Sequence, residues 1–268
     1  MARFAVGIEY DGTAYAGWQA QRSGAASIQA FTEQAFSSVA NEPVSLVCAG
    51  RTDAGVHARE QVAHFESNAI RPLRGWLLGA NSNLPRDISI SWITPVPAHF
   101  HARYSAETRT YRYFIYNRPV RSAFMEKRAT QIHRPLDHER MREAATAFIG
   151  EHDFSAFRSS ECQAKSTVRR LTRLEVEREG DWIAVEITAN AFLHHMVRNL
   201  VGVLLEIGRG EQVPGWAANV LKSRDRTQGG VTAPADGLYM WRVQYPAAFG
   251  LPGAGGSAII SPPFGTRA

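Results

Sequence analysis

The 268-residue chain is long enough for one large domain or two small ones with a real core. Its two cysteines exclude a disulfide framework or a Cys-rich zinc site, and no run of about 18 apolar residues is present to cross a membrane. Net charge is +5, and 27 of the 30 basic residues are Arg, which suits phosphate forks and base stacking. The opening Met1-Ala2-Arg3-Phe4 enters a strand pattern without the apolar stretch of a signal peptide, so a cytoplasmic protein is expected.

In chain order, residues 3–10 alternate as a strand, and a Gly-rich turn follows through Asp11-Gly12 to Gly17-Trp18. Ser27 reads as an N-cap, with Ile28, Phe31, Ala35, Phe36 and Val39 on one helix face. Strands are expected at 43–49 and 61–65, a helix at 71–78 with Pro72 near its first turn, and a strand at 88–94. The second half repeats the order. A long strand at 105–117 precedes a helix at 137–149 with Met141, Ala144, Ala145 and Phe148 on one face. A hairpin follows at 167–178 and 182–189, turning at Glu179-Gly180-Asp181. A helix over 194–207, a short helix after Pro214 and a strand at 238–244 complete it.

Both halves therefore spell β-α-β-β-α-β, and the expected fold is α+β. It comprises two ferredoxin-like halves, 1–103 and 104–245, with mainly antiparallel sheets side by side and an active-site cleft between them. Residues 246–268 hold five Gly and four Pro with almost no charge, and a poorly ordered tail is expected, although Ile259-Ile260 could dock.

The loop Gly50-Arg51-Thr52-Asp53-Ala54-Gly55-Val56-His57-Ala58 joins the second and third strands of the first half. In an extended segment Arg51 and Asp53 leave the same face. Such a pair attracts by roughly 4 kcal/mol at an intermediate dielectric, which keeps the carboxylate ionised and fit to act as nucleophile or base. The plainer alternative is an Asx-type turn in a long hairpin. From His101 to Arg134, eight basic residues face two acidic ones and interleave with Tyr104, Tyr111, Tyr113, Phe114, Tyr116 and Phe124. Basic residues mixed with aromatics mark nucleic-acid contact, with a solvated strand face over a core as the alternative.

The loop resembles the active-site motif of the tRNA pseudouridine synthase A (TruA) family. Further blocks resemble it in order: Gly7-Ile8-Glu9-Tyr10-Asp11-Gly12 with Gly17-Trp18-Gln19, Asn81-Ser82-Asn83-Leu84-Pro85, Phe100-His101-Ala102-Arg103, Arg109-Thr110-Tyr111-Arg112-Tyr113, Phe192-Leu193-His194-His195-Met196-Val197-Arg198-Asn199 and Gly237-Leu238-Tyr239. The resemblance runs from residue 3 to about 246. It implies a homodimeric isomerase that needs no cofactor or metal. The implied reaction converts uridine to pseudouridine at positions 38, 39 and 40 of the tRNA anticodon stem-loop.

By the same resemblance Asp53 is the catalytic aspartate, attacking the base or acting at the sugar. Arg51 assists base flipping, and Tyr111 stacks on the target base, with Tyr113 in reserve. Arg198 approaches Asp53 from the second half, Leu238 forms an apolar wall, and His57 and Arg112 join the substrate-binding set. Tyr111 and Tyr113 share one strand face with Arg112 on the other. Arg59, beside the motif, is bulkier than the family pattern.

Histidines do not suggest a metal centre: His99 and His101 share a strand face without a ligand partner, and the adjacent His194 and His195 diverge if helical. Other classes remain as alternatives: a synthase for other RNA uridines, a non-catalytic RNA-binding module, and a metal-dependent phosphotransferase or nuclease, which needs clustered carboxylates.

Overall fold

A computed structural model describes residues 1–21 and 24–252. It is a mixed α+β structure with five α-helices among the described residues and mainly antiparallel strand pairing. The chain divides into two compact units. The first is Met1–Arg109 together with the chain from Tyr239, and the second is Thr110–Leu238.

The first unit begins with β1 (Ala2–Tyr10) and α1 (Ile28–Ala40). Ser27 caps α1 as expected, its hydroxyl accepting the Ala30 N–H, and Ile28, Ala35 and Phe36 are buried on the inner face. The strand expected at 43–49 is reduced to β2 (Val47–Cys48). Side chains of α1 replace the missing ladder: Ser37 Oγ accepts the Val44 N–H at 2.9 Å, and Glu33 accepts the Leu46 N–H at 2.8 Å. β3 (His57–Ser67) starts four residues earlier than the apolar run implied, inside the motif itself.

Next come α2 (Leu73–Asn83) and β4 (Ile88–Val96). α2 outruns the expected 71–78 and takes in Asn81-Ser82-Asn83. The Asn81 amide then serves as a strand partner, donating to Ile90 O at 2.9 Å and accepting Ile90 N–H at 2.8 Å. β1 lies between β3 and β4 and is antiparallel to both, and β2 pairs with β3. Phe65 centres the core, with ring centroids 4.7 Å from Phe36, 5.3 Å from Trp76 and 5.4 Å from Phe4.

The second unit takes up β5 (Thr108–Asn117) from Thr110 on, then β6 (Thr130–Ile132), α3 (His138–Ala145), β7 (Gly150–Asp153), β8 (Val168–Glu179), β9 (Trp182–Ala189), α4 (Met196–Gly208) and α5 (Trp216–Ser223). Its strands are ordered β5-β9-β8-β7, with β6 parallel to β5. β6 and β7 carry no sequence alternation; the polar Gly-Glu-His-Asp of β7 becomes a strand only by pairing with β8. α4 is almost wholly buried, including Leu200, Val201, Leu204 and Ile207, and anchors the core of this unit.

β10 (Leu238–Gln244) follows, and from Tyr239 it belongs to the first unit, where it runs parallel to β3 with Tyr239 opposite His57. Of the expected tail, residues up to 252 are described. Ala247–Phe249 form a 3-10 turn that sets the Phe249 ring 5.1 Å from Phe100. Ile259 and Ile260 lie outside the described residues.

Candidate active site

In the first unit the motif becomes a loop held from both sides. The Trp18 N–H donates to Thr52 O at 3.0 Å, the Gly55 N–H to Tyr15 O at 3.3 Å, and the Val56 N–H back to Asp53 O at 3.2 Å. At the start of the loop, the Gln61 amide donates to Gly50 O at 2.6 Å. The turn after Asp53 needs Gly55, whose φ is +76°. Gly17 is equally constrained: its φ is +95°, and a Cβ there would stand 2.6 Å from Thr52 O.

Burial alternates through exposed Arg51, buried Thr52 and half-buried Asp53. The inward residue is anchored, with the Thr52 and Tyr10 hydroxyls 2.8 Å apart. Asp53 is thus carried on a fixed backbone while its side chain keeps partial access to solvent. That is the setting a carboxylate needs to meet a substrate without a loop having to order first.

His57 lies beneath this loop at 1% exposure, its ring stacked on Tyr239 at 4.5 Å and 21°. Its Nδ1 is 3.1 Å from Gly12 N and 3.2 Å from an Asp11 carboxylate oxygen. The ring accepts from the first when Nδ1 is bare and donates to the second when Nδ1 carries a proton. His57 and the Thr13 donors hold the Asp11 carboxyl well below the usual carboxylate range, against the opposing effect of burial. Arg59 is half-buried, its guanidinium over the Trp241 ring at 4.9 Å.

In the second unit Tyr111 is 8% exposed and meets Phe192 edge-on at 5.0 Å. Tyr113 is fully buried, its hydroxyl 2.5 Å from the Thr130 hydroxyl and donating to Pro234 O at 2.9 Å. Burial pushes its phenol well above the usual range. Arg112 on the intervening face is equally enclosed: its Nε lies 2.6 Å from Glu186, which also meets Arg173 at 3.1 Å. Residues 111–115 of this strand are therefore buried on both faces, with the Arg112–Glu186 pair on one of them.

Arg198 stands in the first turn of α4, half-buried, with Nε donating to Ala233 O at 2.7 Å. The Ala233 N–H returns to Arg198 O at 3.1 Å, so helix and segment clasp each other. Leu238 is buried at the end of that segment, its N–H bonded to Ala235 O at 2.8 Å.

The adjacent His194 and His195 do not diverge as neighbouring helix positions would. They precede the helix, and His195 has φ +62°, which brings the two rings within 4.1 Å of each other. Supporting residues were also missed. Tyr10, Asp11 and Arg109 hold the loop and its flanks, and only their place in the motif blocks hinted at it.

The glycine-bracketed Arg-Thr-Asp loop is thus braced by the Tyr10–Gly12 turn and by Trp18. The sequence profile described as tRNA pseudouridine synthase matches residues 7–105 and 144–246. The tRNA pseudouridine synthase A of Methylococcus capsulatus is 56% identical over 249 residues, covering 93% of this chain and 92% of that protein. Those of Pseudomonas aeruginosa and Nitrosococcus oceani are each 54% identical, covering 94% and 93% of this chain and 88% and 96% of theirs. The chain belongs to the tRNA pseudouridine synthase A family, a family of isomerases.

Proposed function

We propose that the protein isomerises uridine to pseudouridine at positions 38, 39 and 40 of the tRNA anticodon stem-loop. The observation that carries the reading is the Asp53 loop, fixed through Thr52 and Gly55 with its carboxylate only half-buried. The N1–C1′ bond breaks, the base turns, and a C5–C1′ bond forms. The proton leaving C5 balances the one gained at N1, so product and substrate are isomers. Asp53 assists bond cleavage. Arg51, exposed beside it, takes the place vacated by the flipped base, which spares part of the few-kcal/mol cost of unstacking.

Tyr111 offers its ring to the target base from a position braced by Phe192. Arg198 binds phosphate or the base near the start of α4, and Leu238 supplies an apolar wall. His57 supports the loop through its stack on Tyr239, and Arg112 joins the substrate-binding set with its guanidinium paired to Glu186. The exposed arginines suit a substrate read by shape and backbone. Two copies sharing one tRNA, in the cytoplasm, complete the reading by family resemblance. No helix among the described residues is long and apolar enough to cross a membrane.

We also infer that each unit is a ferredoxin-like half. In the first, the antiparallel order β4-β1-β3-β2 with two helices supports this, and in the second the order β5-β9-β8 does. Mapping pseudouridine after incubation with unmodified tRNAs carrying uridines at and around 38–40 tests the target assignment. Modification confined to 38–40 is expected. Modification elsewhere would reassign the substrate to other uridines, and tight binding without product would leave an RNA-binding module.

A further inference from the structure

We propose that Tyr104, with Arg103 beside it, is a stacking platform for an unpaired base of the RNA substrate, on the same unit as the Asp53 loop. The inference rests on the reading of the protein as one that acts on tRNA. Tyr104 is 76% exposed, among the most exposed aromatics of the described residues. It is nevertheless held in place. One face of its ring lies on His101 at 4.3 Å and 32°, and His101 lies in turn on His64 at 4.8 Å. The Arg103 guanidinium carbon is 5.7 Å from the Tyr104 ring centroid.

Two imidazoles pin three successive amides below the ring. His64 Nδ1 accepts the Ala102 N–H at 3.1 Å, and His101 Nδ1 accepts those of Arg103 and Tyr104, both at 3.2 Å. Accepting requires unprotonated nitrogens, and burial lowers the pKa of His64 to about 4 and depresses that of His101. The ring is thus presented against two neutral, tilted imidazoles that hold its backbone amides.

Its position is tied to the chemistry by one guanidinium. Arg109 donates through Nη2 to Ala49 O at 3.1 Å and to Arg103 O at 2.5 Å. Ala49 immediately precedes the glycine that opens the catalytic loop. Arg51 and Arg103, both exposed, each exert their positive charge on the Cys48 thiol, which places cations of loop and platform in the same neighbourhood. A phosphate backbone passing Arg51 and Arg103 would carry a splayed base onto Tyr104. Exposed aromatics beside cations bind single-stranded bases in this way, with little regard to sequence.

The full-length protein tests this with an anticodon stem-loop RNA, by binding and by initial rates. Tyr104→Ala is expected to weaken binding and raise KM about tenfold, with kcat at saturation within about twofold of wild type. Tyr104→Phe should bind as wild type does. Tyr104→Leu, which keeps apolar bulk without a ring, should behave as Tyr104→Ala. Arg103→Ala should lower the salt dependence of binding by about one phosphate contact.

On a fully paired hairpin of the same length, wild type and Tyr104→Ala should bind alike. Unchanged binding by Tyr104→Ala, full rescue by leucine, or an equal loss on the paired hairpin would each overturn the platform. If wild type makes no pseudouridine yet binding still depends on Tyr104, the synthase reading fails and the platform stands. Product formation with no dependence on Tyr104 sinks the platform alone.

Discussion

The Tyr10 hydroxyl lies 2.8 Å from the Thr52 hydroxyl in a buried contact, one residue before Asp53. Tyr10 ends β1 and Thr52 sits in the loop, so this bond couples the sheet to the segment that carries Asp53. Tyr10→Phe leaves the Thr52 hydroxyl short of a buried partner, and a loss of about 1–2 kcal/mol of stability is expected. Activity should fall in kcat more than in KM, because the bond positions Asp53 and does not meet RNA. A double-mutant cycle with Thr52→Val, read by denaturant unfolding, should show coupling of about 1 kcal/mol. Strict additivity would mean the contact does not hold the loop.

Gly17 and Gly24 make a matched pair. Both have positive φ, +95° and +74°, but a Cβ at Gly17 meets Thr52 O at 2.6 Å whereas one at Gly24 meets nothing within 4 Å. Gly24→Ala should cost about 1 kcal/mol from backbone strain alone and leave turnover intact. Gly17→Ala adds a collision with the loop backbone and should lower both melting temperature and turnover, the latter by more than about tenfold. Equal effects from the two substitutions would contradict the role given to the Gly17–Thr52 approach.

Glu60 predicts a pH dependence. It is 7% exposed on β3, and burial raises its pKa from 4.5 to about 7 against the opposing pull of Arg242 and Arg59. The folded state therefore holds a proton that the unfolded chain releases above pH 4.5. The stability tied to this group is fully present below that pH and is lost as pH rises through about 7. Glu60→Gln should melt higher than wild type at pH 8, by on the order of 2 kcal/mol, and the gap should close near pH 4.5. Calorimetry across that window decides it; a gap independent of pH would mean that titration of Glu60 is not its source.

Local signals in the sequence located most elements. Ser27 capped α1, Pro72 opened α2, and the 182–189 run gave β9 with the bounds expected. Signals failed where tertiary partners decide. β2 shrank because Ser37 and Glu33 satisfy the backbone of 44–46, and β7 arose from polar residues that pair only through β8. The motif loop was legible as a string, whereas its bracing was not. Nothing in the spacing of Tyr10, Thr52, Trp18 and Gly55 states that they meet, since each bond joins residues far apart in sequence. The surroundings of His57 and Arg112 were hidden for the same reason: a charged or imidazole side chain on a strand reads as exposed until its buried partner, here Tyr239 or Glu186, is known.

The most direct test of the account compares wild type with Asp53→Asn on an unmodified tRNA bearing uridines at 38–40, following pseudouridine formation, RNA binding and thermal melting together. The account predicts product from wild type and none from the variant, with RNA binding preserved and the loop backbone still held through Thr52, Asp53 O and Gly55. Product from both proteins would make Asp53 structural and contradict the central claim.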